Sequence, residues 1–225
     1  MIPRIIPFAA YILFLALAEV PTWVLEFVPD LAPWLETGNL WLYPVKTVLV
    51  FCLLAYFWPH YEELRGKVFV GSKEILLAII IGVSVYVAWV RMDWLWAIQG
   101  KLAGYDPFQA GAETGMVFAG ARLLGSVMVV PVMEELFWRS FLIRYVISPR
   151  FETVRLGTFT LRSFVVTVIL FGLEHQLWLA GMMAGAAYTI LLYRTGRIWP
   201  CILAHATTNG ALGIHVLATG EWHWW

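Results

Sequence analysis

Val130-Pro131-Val132-Met133-Glu134-Glu135-Leu136-Phe137-Trp138-Arg139 puts two adjacent carboxylates directly behind an unbroken apolar run, Met128 to Met133. Carboxylates in hydrocarbon cost several kcal/mol each even on lenient insertion scales. A chain that keeps such a pair must compensate it nearby, and a frequent reason to keep it is chemistry. Outward from this stretch the sequence stays apolar. Of 225 residues, 61% are hydrophobic and 13% charged, and the mean hydropathy is +0.76. A soluble domain carries about 25% charged residues. The chain therefore reads as an all-α integral membrane protein, 1–225 being a single polytopic domain. The formal net charge is zero, which removes any bulk electrostatic case for nucleic acid.

Seven apolar spans follow from the pattern, at about 5–20, 39–57, 74–92, 116–147, 163–177, 178–193 and 198–217. The fourth is too long for one crossing: about 48 Å at 1.5 Å per residue, against a core of about 30 Å. Pro131 lies inside it and is expected to kink or break the helix, so the bundle has seven or eight transmembrane helices. The first run, after Met1-Ile2-Pro3-Arg4, has no clean cleavage site and reads as a retained helix. Arg4, Arg65, Lys67, Lys73, Arg144, Arg150, Arg155, Arg162, Arg194 and Arg197 all fall in loops on one side of a seven-span arrangement. The opposite loops hold Glu26, Asp30, Glu36, Asp93, Asp106, Glu113 and Glu221, with Arg91 and Lys101 as their cations. The positive-inside rule then puts the N-terminus in the cytoplasm and Trp225 outside. Thirteen tryptophans, among them Trp34, Trp41, Trp58, Trp94, Trp199 and Trp225, flank the spans like an interfacial belt. Cys52 and Cys201 read as reduced thiols in apolar segments. Lys46, Glu19 and Arg122 lie near span ends, where they are expected to snorkel. His60, His215 and His223 read as structural or solvated.

Three polar constellations interrupt the spans. Glu135 and Arg139 are four apart and can pair on one helix face, while Glu134 points about 100° away toward a different neighbour. Phe171-Gly172-Leu173-Glu174-His175 sits near the end of the fifth span, and His205-Ala206-Thr207-Thr208-Asn209 in the last one offers a ring and an amide side by side. Counted from the basic side, Glu134, His175 and His205 lie about 20, 18 and 12 Å deep. All three are mid-membrane, so the groups can meet across a bundle. A carboxylate, two imidazoles and a carboxamide in a low-dielectric pocket are the parts for hydrolysis. Glu134 would take a proton from water and His175 would hold or share it. His205 and Asn209 would donate to the oxyanion, at about 3–4 kcal/mol per well-placed donor. Zinc held by Glu134, His175 and His205 is a rival from the same residues, although the His-Glu-x-x-His signature is missing. A serine or cysteine nucleophile lacks support, since Ser126 and Ser140 have no triad context.

The ordered trio Glu-Glu-x-x-x-Arg, Phe-x-x-x-His and His-x-x-x-Asn, here Glu134 to Arg139, Phe171 to His175 and His205 to Asn209, resembles the CAAX protease and bacteriocin-processing family, which includes the Ras-converting endoprotease. The resemblance covers about 116–217; residues 1–115 form N-terminal helices without a motif. It implies a multi-helix intramembrane glutamate endopeptidase that works without a catalytic metal. It also implies Glu134 with His175 as the water-activating pair, His205 with Asn209 as oxyanion donors, and Glu135, Arg139 and Phe171 in support. The substrate would be lipidated or membrane-anchored and cut near its C-terminus. The Trp-rich tail from Glu221 and the overall size are similar to the subgroup tied to exosortase and PEP-CTERM sorting, which implies a bacterial inner membrane and an exosortase-system partner. Glu174, outside the pattern, sets a further carboxylate beside His175. Two other classes stay open: a non-catalytic immunity or peptide-binding protein of the same fold, and a transporter using the buried charges, for which no inverted repeat speaks.

Overall fold

The structure is a computed structural model that describes residues 1–100 and 104–224, with the backbone alone at 19–23 and 31–37. Lys101, Trp225 and the side chains of Glu19, Trp34 and Glu36 lie outside the described residues, and so do the expectations placed on them. The described residues are helical wherever the sequence is apolar, and no strand forms among them. In chain order the helices are α1 (Ile2–Phe27), α2 (Ala32–Phe57), α3 (Ser72–Trp89), α4 (Ala112–Leu124), α5 (Val130–Glu135), α6 (Ile143–Ile147), α7 (Leu161–Leu173), α8 (Trp178–Thr195) and α9 (Trp199–Thr219). Each of the seven expected spans contains a helix, although the fifth ends at Leu173 and its last four residues, 174–177, form a turn. Four helical stretches are long and apolar enough to cross a membrane: Gly38–His60, Ser72–Trp89, Ala112–Ile147 and Trp199–Thr219; Ile2–Ala18 and Leu161–Leu173 are shorter apolar helices. The protein is an all-α membrane bundle.

The motif helix corrects one expectation. Pro131 does not break it. Instead α4, α5 and α6 run on as one rod, Ala112–Ile147, through two π-helical turns, Gly125–Val129 and Leu136–Leu142. A proline in a helix lacks an N–H and its ring strikes the carbonyl four residues back. A π turn just before it widens the helix and removes that clash.

Helix α3 packs on α9, α7 on α8 and α1 on α2. Gly82 permits the first contact: a Cβ there would run into the Ala204 carbonyl and stand 2.7 Å from Thr207 Cβ. Gly172 permits the second, since a Cβ would strike Met182 and lie 2.7 Å from the Trp178 carbonyl. Two buried clusters flank the motif helix. One gathers Trp138, Phe171, Tyr188 and Leu191; the other gathers Val50, Tyr61, Met133 and Ile202. Phe8 of α1 packs on both. Outward, Leu13, Phe51, Leu76, Val117, Met128 and Ile214 are exposed, as lipid-facing side chains are.

Helix α7 opens on Thr160, whose hydroxyl accepts from Ser163 N at 3.1 Å, and it ends after 13 residues. That is a rise of about 20 Å, short of a core of about 30 Å. The chain turns at Glu174–Leu177 and returns as α8, so His175 sits on a turn between two packed helices rather than inside one.

Candidate active site

The motif helix brings Glu134 and Glu135 to α9. Both carboxylates are buried, and both meet His205. Nδ1 of His205 lies 3.0 Å from Glu135 Oε1, while its Nε2 lies 3.9 Å from Glu134 Oε2. Glu135 Oε1 also faces Arg139 Nη1 at 3.2 Å, in an ion pair with no exposed surface on either side chain. The i,i+4 pairing read from the sequence is thus present, and Glu135 has a second partner that spacing alone did not reveal. Arg139 donates from Nη2 to the Gly185 carbonyl at 3.3 Å and lies over the rings of Phe171, at 4.3 Å, and Tyr188, at 5.4 Å. Tyr188 in turn stacks on His205 with centroids 5.1 Å apart, and its hydroxyl donates to Thr208 at 2.7 Å. His205 is therefore gripped at Nδ1 and across one face. Glu134 is held differently: its Oε2 is buried and has no hydrogen-bond partner among the described residues.

His175 reaches the site from the α7–α8 turn. Its Nδ1 lies 2.7 Å from the Phe171 carbonyl. A carbonyl only accepts, so Nδ1 carries the hydrogen and the neutral ring presents a bare Nε2. The turn itself is clamped by Gln99. Its side-chain amide donates to the carbonyls of Leu173 and His175, both at 2.7 Å, and its backbone N–H donates to Gln176 O at 2.8 Å. Trp89 adds an edge contact to the His175 ring, centroids 5.4 Å apart. Glu174 turns away to accept from the Trp138 indole at 3.1 Å.

Asn209 is placed by the π turn. Val130 N–H bonds to the Gly125 carbonyl in the widened register. The next carbonyl, Ser126 O, would take its bond from residue 131, which is proline and has no N–H. Asn209 Nδ2 supplies that bond at 2.8 Å. The amide keeps a second hydrogen to donate.

Glu134, His175, His205 and Asn209 line one cavity of about 210 Å³, far above the ~10–15 Å³ that a single water requires. Rings of Tyr11, Tyr43, Trp89 and Tyr188 form much of the remaining wall, with Trp224 also on it. Arg122 lines it as well, with its guanidinium over Tyr43 and Tyr105 at 4.6 and 4.5 Å. The expectation that Lys46 snorkels is corrected. Lys46 is only 4% exposed, and its ammonium lies over Tyr11 at 3.8 Å and Tyr43 at 4.7 Å. Aromatic faces drawn from α1 and α2 attract this ammonium inward, which span-end position cannot reveal. Among the described residues, no three His, Cys, Asp or Glu side chains are grouped to hold one metal ion. His215 bonds Tyr86 Oη at 2.9 Å and Glu221 at 3.0 Å, a tether outside the cavity wall.

Residues 117–211 match the family model described as type II CAAX prenyl endopeptidase Rce1-like. The match spans less than half of the chain and contains every motif residue from Glu134 to Asn209. It supports the CAAX protease family, and with it a membrane-embedded protease. No curated protein and no solved structure matches the chain.

Proposed function

For a chain carrying the motif region of the CAAX proteases, we propose an intramembrane endopeptidase that cuts a lipidated or membrane-anchored peptide near its C-terminus. The whole chain acts as one membrane domain in a bacterial inner membrane, with its N-terminus cytoplasmic. One observation carries the reading: Glu134 Oε2, buried and without a hydrogen-bond partner among the described residues, faces a cavity that also holds both imidazoles and the carboxamide. A carboxylate oxygen left bare inside a protein is costly, and a water in the cavity satisfies it.

Glu134 takes one proton of that water as the oxygen attacks the peptide carbonyl carbon. The carbonyl electrons move onto oxygen, where Asn209 donates through its second amide hydrogen. His205 donates there through Nε2. With Nδ1–H directed at Glu135, this role requires His205 to carry a proton on both nitrogens. The C–N bond then breaks, and the leaving amine receives the proton held by Glu134 or passed through His175 Nε2. Glu135 and Arg139 position His205, and Phe171 fixes the tautomer of His175.

The test is Glu134→Gln in proteoliposomes carrying lipidated peptides. The substitution keeps the volume and removes the base, so cleavage should fall to background while the protein stays folded. Cleavage by the wild type should persist in strong chelator. Retained activity in Glu134→Gln removes the mechanism; loss on chelation with recovery on added zinc favours the metal rival.

A further inference from the structure

The chain does not leave the cavity when α9 ends. Gly220, at a φ of +72°, donates its N–H to the Val216 carbonyl and turns the chain back. Left-handed backbone of this kind favours glycine. Trp222–Trp224 then form one short helical turn, packed on the loop before α4. A Cβ at Gly104 would stand 2.9 Å from the Trp222 carbonyl carbon, and the Phe108 and Trp222 rings are 5.7 Å apart. This path brings Trp224, half-buried, onto the wall of the chamber that holds Glu134 and Asn209. A tryptophan that serves only as an interfacial anchor faces headgroups; this indole borders the reaction chamber.

Four side chains in series hold it. The Tyr86 hydroxyl lies 2.9 Å from His215 Nδ1, and His215 Nε2 lies 3.0 Å from Glu221 Oε2. Trp224 Nε1 donates to the same oxygen at 3.3 Å. An ionised carboxylate only accepts, so Nε2 carries the hydrogen of the neutral ring and Nδ1 accepts from the tyrosine. Glu221 is exposed, where such contacts add little stability. What the series does fix is the direction of the indole.

Its place along the chamber follows from α9, which runs antiparallel to the motif helix: His205 meets Glu134, and Asn209 meets Ser126. One turn past Asn209, Leu212 also lines the chamber. Level with it, four residues before Ser126, the Arg122 carbonyl accepts from the hydroxyl of Tyr43, another wall residue. The guanidinium of Arg122 lies over the Tyr43 and Tyr105 rings at this end. His215, which tethers the indole, is one further turn along. Trp224 thus bounds the chamber about 5–9 Å past Asn209, a span that about two extended residues cover.

We infer that Trp224 closes a subsite for an apolar side chain of the peptide, within two residues of the scissile bond, and limits the size of the side chain admitted. This rests on the proteolytic reading. The rings of Tyr43 and Trp224 with the Leu212 side chain give that end an apolar wall, as binding pockets have. Glu221 and His215 act through the indole and are positioning residues.

The experiment uses the full chain in proteoliposomes with one farnesylated cysteinyl peptide, in which each residue other than the cysteine is in turn Ala, Leu or naphthylalanine. At one position the wild type should favour Leu over naphthylalanine by about tenfold or more in kcat/KM, the scale on which apolar pockets discriminate. Trp224→Ala should bring that pair to within about threefold by improving the larger peptide at that position alone. Glu221→Ala should do part of this, and Glu221→Gln, whose amide oxygen still accepts, should not; a loosened fold would change all peptides alike. Should Trp224→Ala not fold, Trp224→Phe makes the same comparison with a smaller ring. A size ratio that Trp224→Ala leaves unmoved, or no position with a size preference, overturns the inference and leaves the protease in place. If nothing is cleaved, binding of the peptides to Glu134→Gln decides. A size preference that is lost when Trp224→Ala is added keeps the role of the indole and removes the protease; size-blind binding, or none, removes both.

Discussion

Removing the charge from Glu135 should separate folding from catalysis. Glu135 Oε1 serves two partners, Arg139 Nη1 at 3.2 Å and His205 Nδ1 at 3.0 Å. In Glu135→Gln the guanidinium of Arg139 stays buried with no counter-ion. Its remaining support among the described residues is one bond donated to the Gly185 carbonyl at 3.3 Å, and the faces of Phe171 and Tyr188. Orphaning one member of a buried ion pair costs about 3–5 kcal/mol. The glutamine carbonyl dipole still faces Arg139 Nη1, so the lower end of that range applies. Adding Arg139→Met removes the orphan charge and fills its volume, and a buried pair replaced by apolar groups is often neutral. The double variant should therefore return to within about 1 kcal/mol of wild type. Activity should not return with it. His205 has lost the anion that orients Nδ1, and disabling one oxyanion donor lowers turnover about a hundredfold or more. Unfolding titrated with SDS in detergent micelles, beside peptide cleavage in liposomes, reads both quantities. A double variant that cleaves at the wild-type rate, or a single variant as stable as wild type, refutes the assignment of Glu135 as the link between Arg139 and His205.

Other outcomes follow from separate parts of the bundle. Gly82→Ala should wedge α3 from α9 by forcing a methyl against the Ala204 carbonyl and Thr207; overpacking of this kind costs about 1–3 kcal/mol, and the same SDS titration measures it. Gln99→Ala should release the α7–α8 turn and lower kcat about ten- to a hundredfold, as small misplacements of a catalytic group do, with KM little changed; a change confined to stability would assign Gln99 to the fold alone. Glu63 lies in the loop after α2, where burial pushes its carboxyl up but hydrogen bonds and charge from Arg4, with the Ser140 hydroxyl, outweigh it and hold it below the usual range. A lowered folded value means the stabilisation is complete above the ordinary carboxylate pKa of about 4.3 and fades as pH falls through the lower folded value. Wild type should thus lose stability at acid pH, and Glu63→Gln should be weaker at neutral pH and flatter across that window.

The sequence was most legible where free energies are largest. Apolar runs long enough to cross hydrocarbon became helices because the backbone has no other way to satisfy itself there. Carboxylates and imidazoles at mid-depth were visible because nothing cheap explains them. Glu134, His175, His205 and Asn209 do line a common chamber, and their reactive roles await the variants above. What escaped was set by contacts across helices. Glu135 was paired with Arg139 by spacing, but its bond to His205 joins residues seventy positions apart. Lys46 was read as snorkelling because position in a span says nothing about the rings of Tyr11 and Tyr43 that draw it inward. Gln99 sits in a stretch without a motif, and its clamp depends on where another loop arrives.

Pro131 is the residue whose meaning changed most. Read alone it is a helix breaker, and a break would have separated Arg122 from the glutamates in both direction and depth. The π turn converts it into a device with three consequences. The rod stays continuous, Ser126 O is left for Asn209, and the register shifts so that the N-terminal half of the helix faces the same chamber as the C-terminal half. A proline and an asparagine seventy-eight residues apart are thereby coupled through one carbonyl. Pro131→Ala should test this coupling. With an N–H restored at 131 the α register becomes available, and if the turn reverts, Asn209 loses its carbonyl and Arg122 rotates by about 100° away from the cavity. Hydrolysis should then fall with the helix intact by circular dichroism. Full activity in Pro131→Ala would show that helix packing, and not the proline, holds the π turn.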